Sequence, residues 1–331
     1  MNKLTKILSI DGGGIRGILP AVLLAGLEEK IQQKTGNKSA HLADYFDFFA
    51  GTSTGGLLCF FYLTPDEHDL NKIKYTAKQA PEFYLTYADS AFKPKGQNNT
   101  EYSFHKYSPQ GLESRAKFLF KDLKISQLIK PCCITAYNPE RLEPHLFLSH
   151  NTALKPDDDY LIRDVLRATT ALPGIYPPAI ITSTKGETST FVDGSIFAHN
   201  PAFFAYLHAK KLYPNAQDFM VFSVGTGHVS ALSDGLNVYD NSDKNWSRLL
   251  SEIAFGNSFG ITNIQFEEAF YDKPHSKYIH LQPSLTGLNP AMDDASPSNI
   301  QRLYQRGKEF LSENEKLLNE VTDLITASGE N

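Results

Sequence analysis

The chain has little of what staples or anchors a protein. Three cysteines stand among 331 residues: Cys59 alone, Cys132 and Cys133 adjacent, none at metal-ligand spacing. So sparse and odd a set excludes a disulfide framework and fits buried, reduced thiols in a cytoplasmic protein. Long apolar runs are also missing. The longest, Leu57 to Leu63, falls far short of the ~18 residues that a membrane span needs. There is no excess of basic charge: 32 Lys and Arg against 37 Asp and Glu leave a net charge of −5, which argues against nucleic acid as a partner. Met1-Asn2-Lys3 leads straight into a strand-like segment, so neither a secretory nor a twin-arginine leader is expected. Internal repeats and low-complexity linkers are absent too, and a single domain over residues 1–331 is expected, with a motif-bearing core over about 6–311.

What the chain does have is core-forming material, 41% hydrophobic against 21% charged residues, and a regular alternation of patterns. Lys6–Ile10, Asp47–Ala50, Ile129–Ala136, Leu146–Ser149, Ser189–Val192, Phe219–Val224 and Tyr278–Leu281 read as short strands. Helical spacing runs through Ile18–Gln33, Thr54–Tyr62, Gln110–Phe120, Leu161–Thr170, Pro201–Lys211 and Ser296–Leu318. Strands alternating with helices predict an α/β fold with a mostly parallel central sheet flanked by helices. Two stretches break the pattern. Pro81–Tyr107 is rich in aromatics, and Asp234–Asp243 is polar and turn-prone, followed by a helix candidate over Trp246–Tyr271. Segments of this kind serve as lids or binding loops, or as padding beneath an extra helix.

The chemistry concentrates at three places. Gly51-Thr52-Ser53-Thr54-Gly55 is a G-x-S-x-G placed between a strand and a helix, the setting of a nucleophile elbow that lifts a serine Oγ clear of the sheet. Asp11-Gly12-Gly13-Gly14-Ile15-Arg16-Gly17 joins the first strand to the first helix. It lacks both the G-x-x-x-x-G-K-[ST] phosphate loop and a proper G-x-G-x-x-G. Beside an elbow serine, its convergent N–H groups more economically form an oxyanion hole, with Arg16 either adding positive charge or, the favoured reading, anchoring the loop through a carboxylate. Asp-Gly occurs at Asp11, Asp193 and Asp234. Only Asp193 combines a preceding strand with a following helix start. Carboxyl ends of parallel strands share one crevice, so Asp193 is expected at the same edge as Ser53. His199 and His228 are open as histidine partners for a Ser-His-Asp arrangement, although neither lies in a loop typical of that role.

These motifs resemble those of the patatin-like phospholipases. The glycine loop Asp11–Gly17 and the serine motif Gly51–Gly55 match in kind, and Asp193-Gly194-Ser195 is similar to the family's Asp-Gly-Gly/Ala, with serine in third place. Ala168–Pro173, Asn200-Pro201 and Ser223–Gly227 are similar to further family segments. The resemblance implies lipid acyl hydrolysis by a Ser-Asp dyad: Ser53 as nucleophile, Asp193 as base, and the N–H groups of Gly12, Gly13, Gly14 and Thr54 as the oxyanion hole. It also implies independence from calcium and any other cofactor; the acidic run Asp157–Asp159 lacks a calcium-loop pattern and reads as a solvated turn. Phospholipids or other acyl esters are the expected substrates, with transient contact at a membrane surface. The expected location is cytoplasmic or peripheral at membranes, with signal-less export as a further option. Two rival readings are an inactive or ligand-sensing relative and a Ser-His-Asp esterase of soluble esters. Headgroup preference, regulatory ligand and oligomeric state are not legible.

Overall fold

A computed structural model of the chain describes residues 4–94, 105–151, 159–228 and 259–327. Its framework is a set of short strands, those at the centre of the sheet buried along almost their whole length. Strand β1 (Thr5–Ile10) pairs in parallel with β2 (Phe48–Thr52) on one side and β7 (Phe219–Val224) on the other. Beyond these lie β3 (Cys132–Asn138), parallel to β2, and β8 (Lys277–Leu281), parallel to β7. Strands covered on both faces have no need of a polar side. Ile7, Phe48, Ala50, Cys133 and Val221 pack into one apolar layer, while Leu8, Ile10, Phe49, Cys132 and Phe222 pack into the other. All three cysteines are buried and unbridged.

Helices close both faces. On one side lie α1 (Ile18–Thr35), α3 (Thr54–Leu63), α6 (Ile162–Thr169) and the helices Pro297–Glu313 and Glu315–Thr326. On the other lie α8 (Ala202–Leu212) and a helical run over 259–269 that contributes Phe266. The short helices α2 (Leu42–Tyr45) and α7 (Ser195–Ala198) act as corners. Among the described residues no helix is long and apolar enough to cross a membrane.

The departures from the expected plan lie at one edge of the sheet. Three strands there run antiparallel: β4 (Glu143–Leu148) and β6 (Thr188–Asp193) against β3, and β5 (Ala179–Thr182) against β6. The stretch Pro81–Tyr107 is not irregular throughout; it contains most of α4 (Gln79–Ala91), whose buried positions Ala80, Tyr84 and Ala88 recur every four residues. Pro81 falls in its first turn, where a missing N–H costs nothing. Helix α5 (Gln110–Phe120) stands as expected. The single C-terminal helix expected over 296–318 is two, parted at Asn314. Asp159 is not part of a solvated turn. It is buried and accepts hydrogen bonds from Ser126 N and Oγ at 3.3 and 2.9 Å. Asp157, Asp158, Tyr102, Phe104, the Asp234–Asp243 loop and the first part of the Trp246–Tyr271 helix candidate lie outside the described residues.

Candidate active site

Ser53 sits where β2 ends and α3 begins. Its backbone has φ 55° and ψ −119°, a conformation that costs a non-glycine residue of order 1–3 kcal/mol and persists only when its surroundings impose it. Here they do. The Ser53 N–H donates to Thr169 Oγ1 at 2.8 Å, and that hydroxyl donates onward to the Thr135 carbonyl at 2.7 Å. Thr52 Oγ1 donates to the Ala198 carbonyl at 2.7 Å. A Cβ at Gly55 would collide with the Ile10 carbonyl oxygen, so only glycine lets α3 start this close to β1. The elbow therefore points Ser53 Oγ away from the sheet at a helix N-terminus, where main-chain N–H groups and the helix dipole favour negative charge.

Asp193 reaches the same place by a route that a purely parallel sheet would not provide. Along one edge of β3, Thr52 of β2 faces Thr135 and the next position, Ala136, faces Asp193 of β6. β2 leaves the sheet at the serine, and β6 takes over its place on β3 from the opposite direction, so the two strands meet end to end. The expected proximity of Ser53 and Asp193 holds, but antiparallel pairing produces it rather than shared parallel strand ends. Both residues line one cavity. Asp193 is fully buried, Oδ1 accepts from Ser195 N at 2.8 Å, and Oδ2 has no hydrogen bond of standard geometry within the protein. Burial raises its carboxyl pKa to about 6, tempered by the Ser195 N–H and by the nearby Ser53 and Ser195 hydroxyls.

The glycine loop divides in two. Gly13 and Gly14 line the cavity, with φ of 151° and 58°, and no acceptor among the described residues takes their N–H groups; the same holds for Thr54 N. Gly12, expected in the oxyanion hole, turns the other way: its N–H donates to the His199 carbonyl at 3.0 Å, its carbonyl accepts from the Thr226 hydroxyl, and it does not line the cavity. Arg16 ties the loop to the segment before the C-terminal helices: Nη1 donates to Pro290 O at 3.1 Å. The same segment closes over the loop, with Met292 O accepting from Ile15 N at 2.8 Å.

No histidine lines the cavity among the described residues. His199 is buried behind Gly12 and held neutral, its pKa pushed down to about 3 chiefly by burial and then by the charge of Arg16. His228 pairs by its backbone with Pro283 and Leu285. His280 meets the other buried strand-end carboxylate, Nε2 lying 3.2 Å from Asp11 Oδ2. Reading the residues alone missed Thr169, which sits in the noted Ala168–Pro173 segment, and Tyr84, whose hydroxyl hydrogen-bonds Thr54 Oγ1. The i, i+4 spacing of Ala80, Tyr84 and Ala88 was the available signal for the latter.

A strained serine at a strand–helix elbow, a buried carboxylate and an N–H cradle come together on one apolar cavity. Comparison with known proteins gives the class. The family model described as Patatin-like phospholipase matches residues 8–206. Patatin-17 of Solanum cardiophyllum is 30% identical over 94% of this chain and 84% of its own length. Patatin-T5 of Solanum tuberosum is 29% identical over the same shares, and a probable inactive patatin-3-Kuras 1 of that species is 29% identical over 94% and 87%. The solved structure of VipD from Legionella pneumophila aligns with a TM-score of 0.43 and 11% identity over 94% of this chain and 67% of that one, too loosely to add weight. The chain belongs to the patatin-like phospholipase family, whose activity is in general lipid acyl hydrolysis.

Proposed function

We propose that the protein is a phospholipase A or lysophospholipase-type hydrolase that cleaves carboxylic esters of phospholipids with a Ser53–Asp193 dyad. The observation that carries this reading is Asp193 Oδ2, a buried carboxylate oxygen without a hydrogen bond of standard geometry in the protein, on the cavity that Ser53 faces. Burying a carboxylate this way is costly, and a base for the serine proton is the use that repays it. In the cycle, Ser53 Oγ attacks the ester carbonyl carbon while its proton passes to Asp193. The resulting oxyanion is held by the N–H groups of Gly13, Gly14 and Thr54. Collapse breaks the ester C–O bond, the leaving alkoxide takes the proton from Asp193, and acyl-Ser53 remains. Water then attacks the acyl group, losing a proton to Asp193, and fatty acid is released as that proton returns to Ser53 Oγ.

A carboxylate near its ordinary pKa of ~3.9 is a weak base for a hydroxyl. Raising it to about 6 brings it closer to working pH, and each preorganised oxyanion donor adds about 2.7–4 kcal/mol. The acyl chain lies against Leu57, Phe83, Phe92, Leu172 and Ile175, which line the cavity. No step uses a metal, so EDTA should leave the rate unchanged. Contact with a lipid surface is transient and serves only to deliver substrate. The test is hydrolysis of phospholipid in mixed micelles. Ser53→Ala and Asp193→Asn should each lose activity while keeping the wild-type circular dichroism, and His199→Ala should keep it. Full activity in Asp193→Asn would remove the dyad.

A further inference from the structure

We propose that Arg115 is the specificity-determining residue of this cavity and that it takes the phosphodiester of a glycerophospholipid; the proposal deepens the acyl-hydrolase reading and rests on it. Arg115 lines the same cavity as Ser53 and Asp193 and is its single cation among the described residues. Its guanidinium carbon lies 4.0 Å from the centroid of the Tyr87 ring. Four arginines elsewhere in the structure are held by oxygen: Arg16 by the Pro290 carbonyl, Arg163 by Asp122, Arg167 by Glu113 and Arg306 by Glu313. Among the described residues no carboxylate or carbonyl holds Arg115. Stacking on an aromatic face fixes the plane of a guanidinium and leaves its N–H edge free, the disposition that grips a phosphate in bidentate fashion.

Position along the helix makes the site fit this one class of substrate. Tyr84 of α4 hydrogen-bonds Thr54, the residue after the serine. Tyr87, which carries Arg115, follows three residues later on that helix, about 4.5 Å further along its axis. One helix thus carries both the residue that holds the serine elbow and the ring that holds the cation, on the wall of the cavity that Ser53 lines. In a glycerophospholipid the phosphate is separated from either ester carbonyl by a few bonds, so an ester seated at Ser53 leaves its phosphate on the Arg115 side. A diacylglycerol has only a hydroxyl to offer there.

The test compares dihexanoylphosphatidylglycerol with dihexanoylglycerol, both short enough to be used as monomers. Arg115→Gln should lower kcat/KM for the phosphodiester about 10–100-fold, the worth of hydrogen bonds to a charged group, chiefly through KM. It should leave the neutral diester within about twofold, and Arg115→Lys should recover part of the loss. Equal losses on both substrates, or none on either, would overturn the assignment. Wild type that cleaves the neutral diester and not the phospholipid would also overturn it while leaving acyl hydrolysis standing. Wild type inactive on both would sink the acyl-hydrolase reading instead. In that event calorimetric binding to the Ser53→Ala chain decides the matter. Tighter binding of the phospholipid than of the neutral diester, lost with Arg115→Gln, supports the subsite. Binding of hexanoate, but not of the phospholipid, that depends on Arg115 would reassign the residue to the product carboxylate.

Discussion

Two aspartates of this chain begin alike and end differently. Asp11 and Asp193 each stand where a strand ends and precede a glycine, each is buried, and burial raises the pKa of each. Asp11 is turned inward behind the glycine loop, where Oδ2 meets His280 Nε2 and Ser223 lies close by. Each carboxylate keeps one oxygen without a hydrogen bond of standard geometry, Oδ1 of Asp11 and Oδ2 of Asp193, but of the two only Asp193 lines the cavity. The Asp-Gly dipeptide says nothing about which of them does chemistry. What separates them is place: one carboxylate is sealed behind the glycine loop, and the other lies on the cavity where a substrate can reach it.

The largest effect that would sharpen this contrast is catalytic. Asp193→Asn should cut kcat by about 10⁴-fold, the scale on which single members of serine-based catalytic sets act, with KM little changed; Asp11→Asn, whose partner is structural, should lose far less. Comparable losses at both positions, measured as kcat on a soluble ester, would erase the distinction. Next comes stability, with opposite signs. Asp11→Ala strips His280 of its buried partner and should destabilise the fold by about 3–5 kcal/mol in urea unfolding. Asp193→Asn should stabilise it at neutral pH. The folded chain holds the Asp193 proton up to about pH 6, whereas the unfolded chain releases it near ~3.9. The folded state therefore binds more protons between these values, and stability falls as pH rises through that window, by roughly 3 kcal/mol in all. The Asn variant should lack this decline, and its advantage should vanish below about pH 4.

Smaller effects test the supports of the dyad. Thr169→Val removes the acceptor of the Ser53 N–H and should cost about 1–3 kcal/mol, with a loss of kcat from a loosened elbow; an unchanged Tm and rate would show that the strained turn holds itself. Ser195→Ala removes a hydroxyl that lowers the Asp193 pKa, so the acid limb of the pH–rate profile should move up by less than about one pH unit. A downward move would reverse the role given to that hydroxyl.

How much of this was legible in the residues follows a physical line. The serine elbow was readable because its chemistry is local: Gly51 and Gly55 mark a close approach that only glycine permits, and Phe48–Ala50 and Leu57–Leu63 announce a strand and a helix on either side. The buried parallel strands were readable for the same reason. Strand direction was not. Thr188–Asp193 has the same pattern whether it runs with β3 or against it, and the antiparallel choice sets Asp193 end to end with Thr52. Nor can three consecutive glycines say which N–H faces the substrate. The Gly12 N–H is taken by the His199 carbonyl, a partner 187 positions away (199 − 12). Helix α4 was missed because Pro81 and the dense aromatics obscured a four-residue spacing. The break at Asn314 was missed because Phe310 and Leu318 keep helical spacing across it.

The most direct measurement is the rate at which a fluorophosphonate labels Ser53, followed by mass spectrometry from pH 4 to 9. Labelling should be confined to Ser53, rise with pH along a single limb centred near 6, and collapse in Asp193→Asn while persisting in His199→Ala and His228→Ala. Labelling of another serine, or a limb that survives Asp193→Asn and disappears with a histidine, would contradict the dyad.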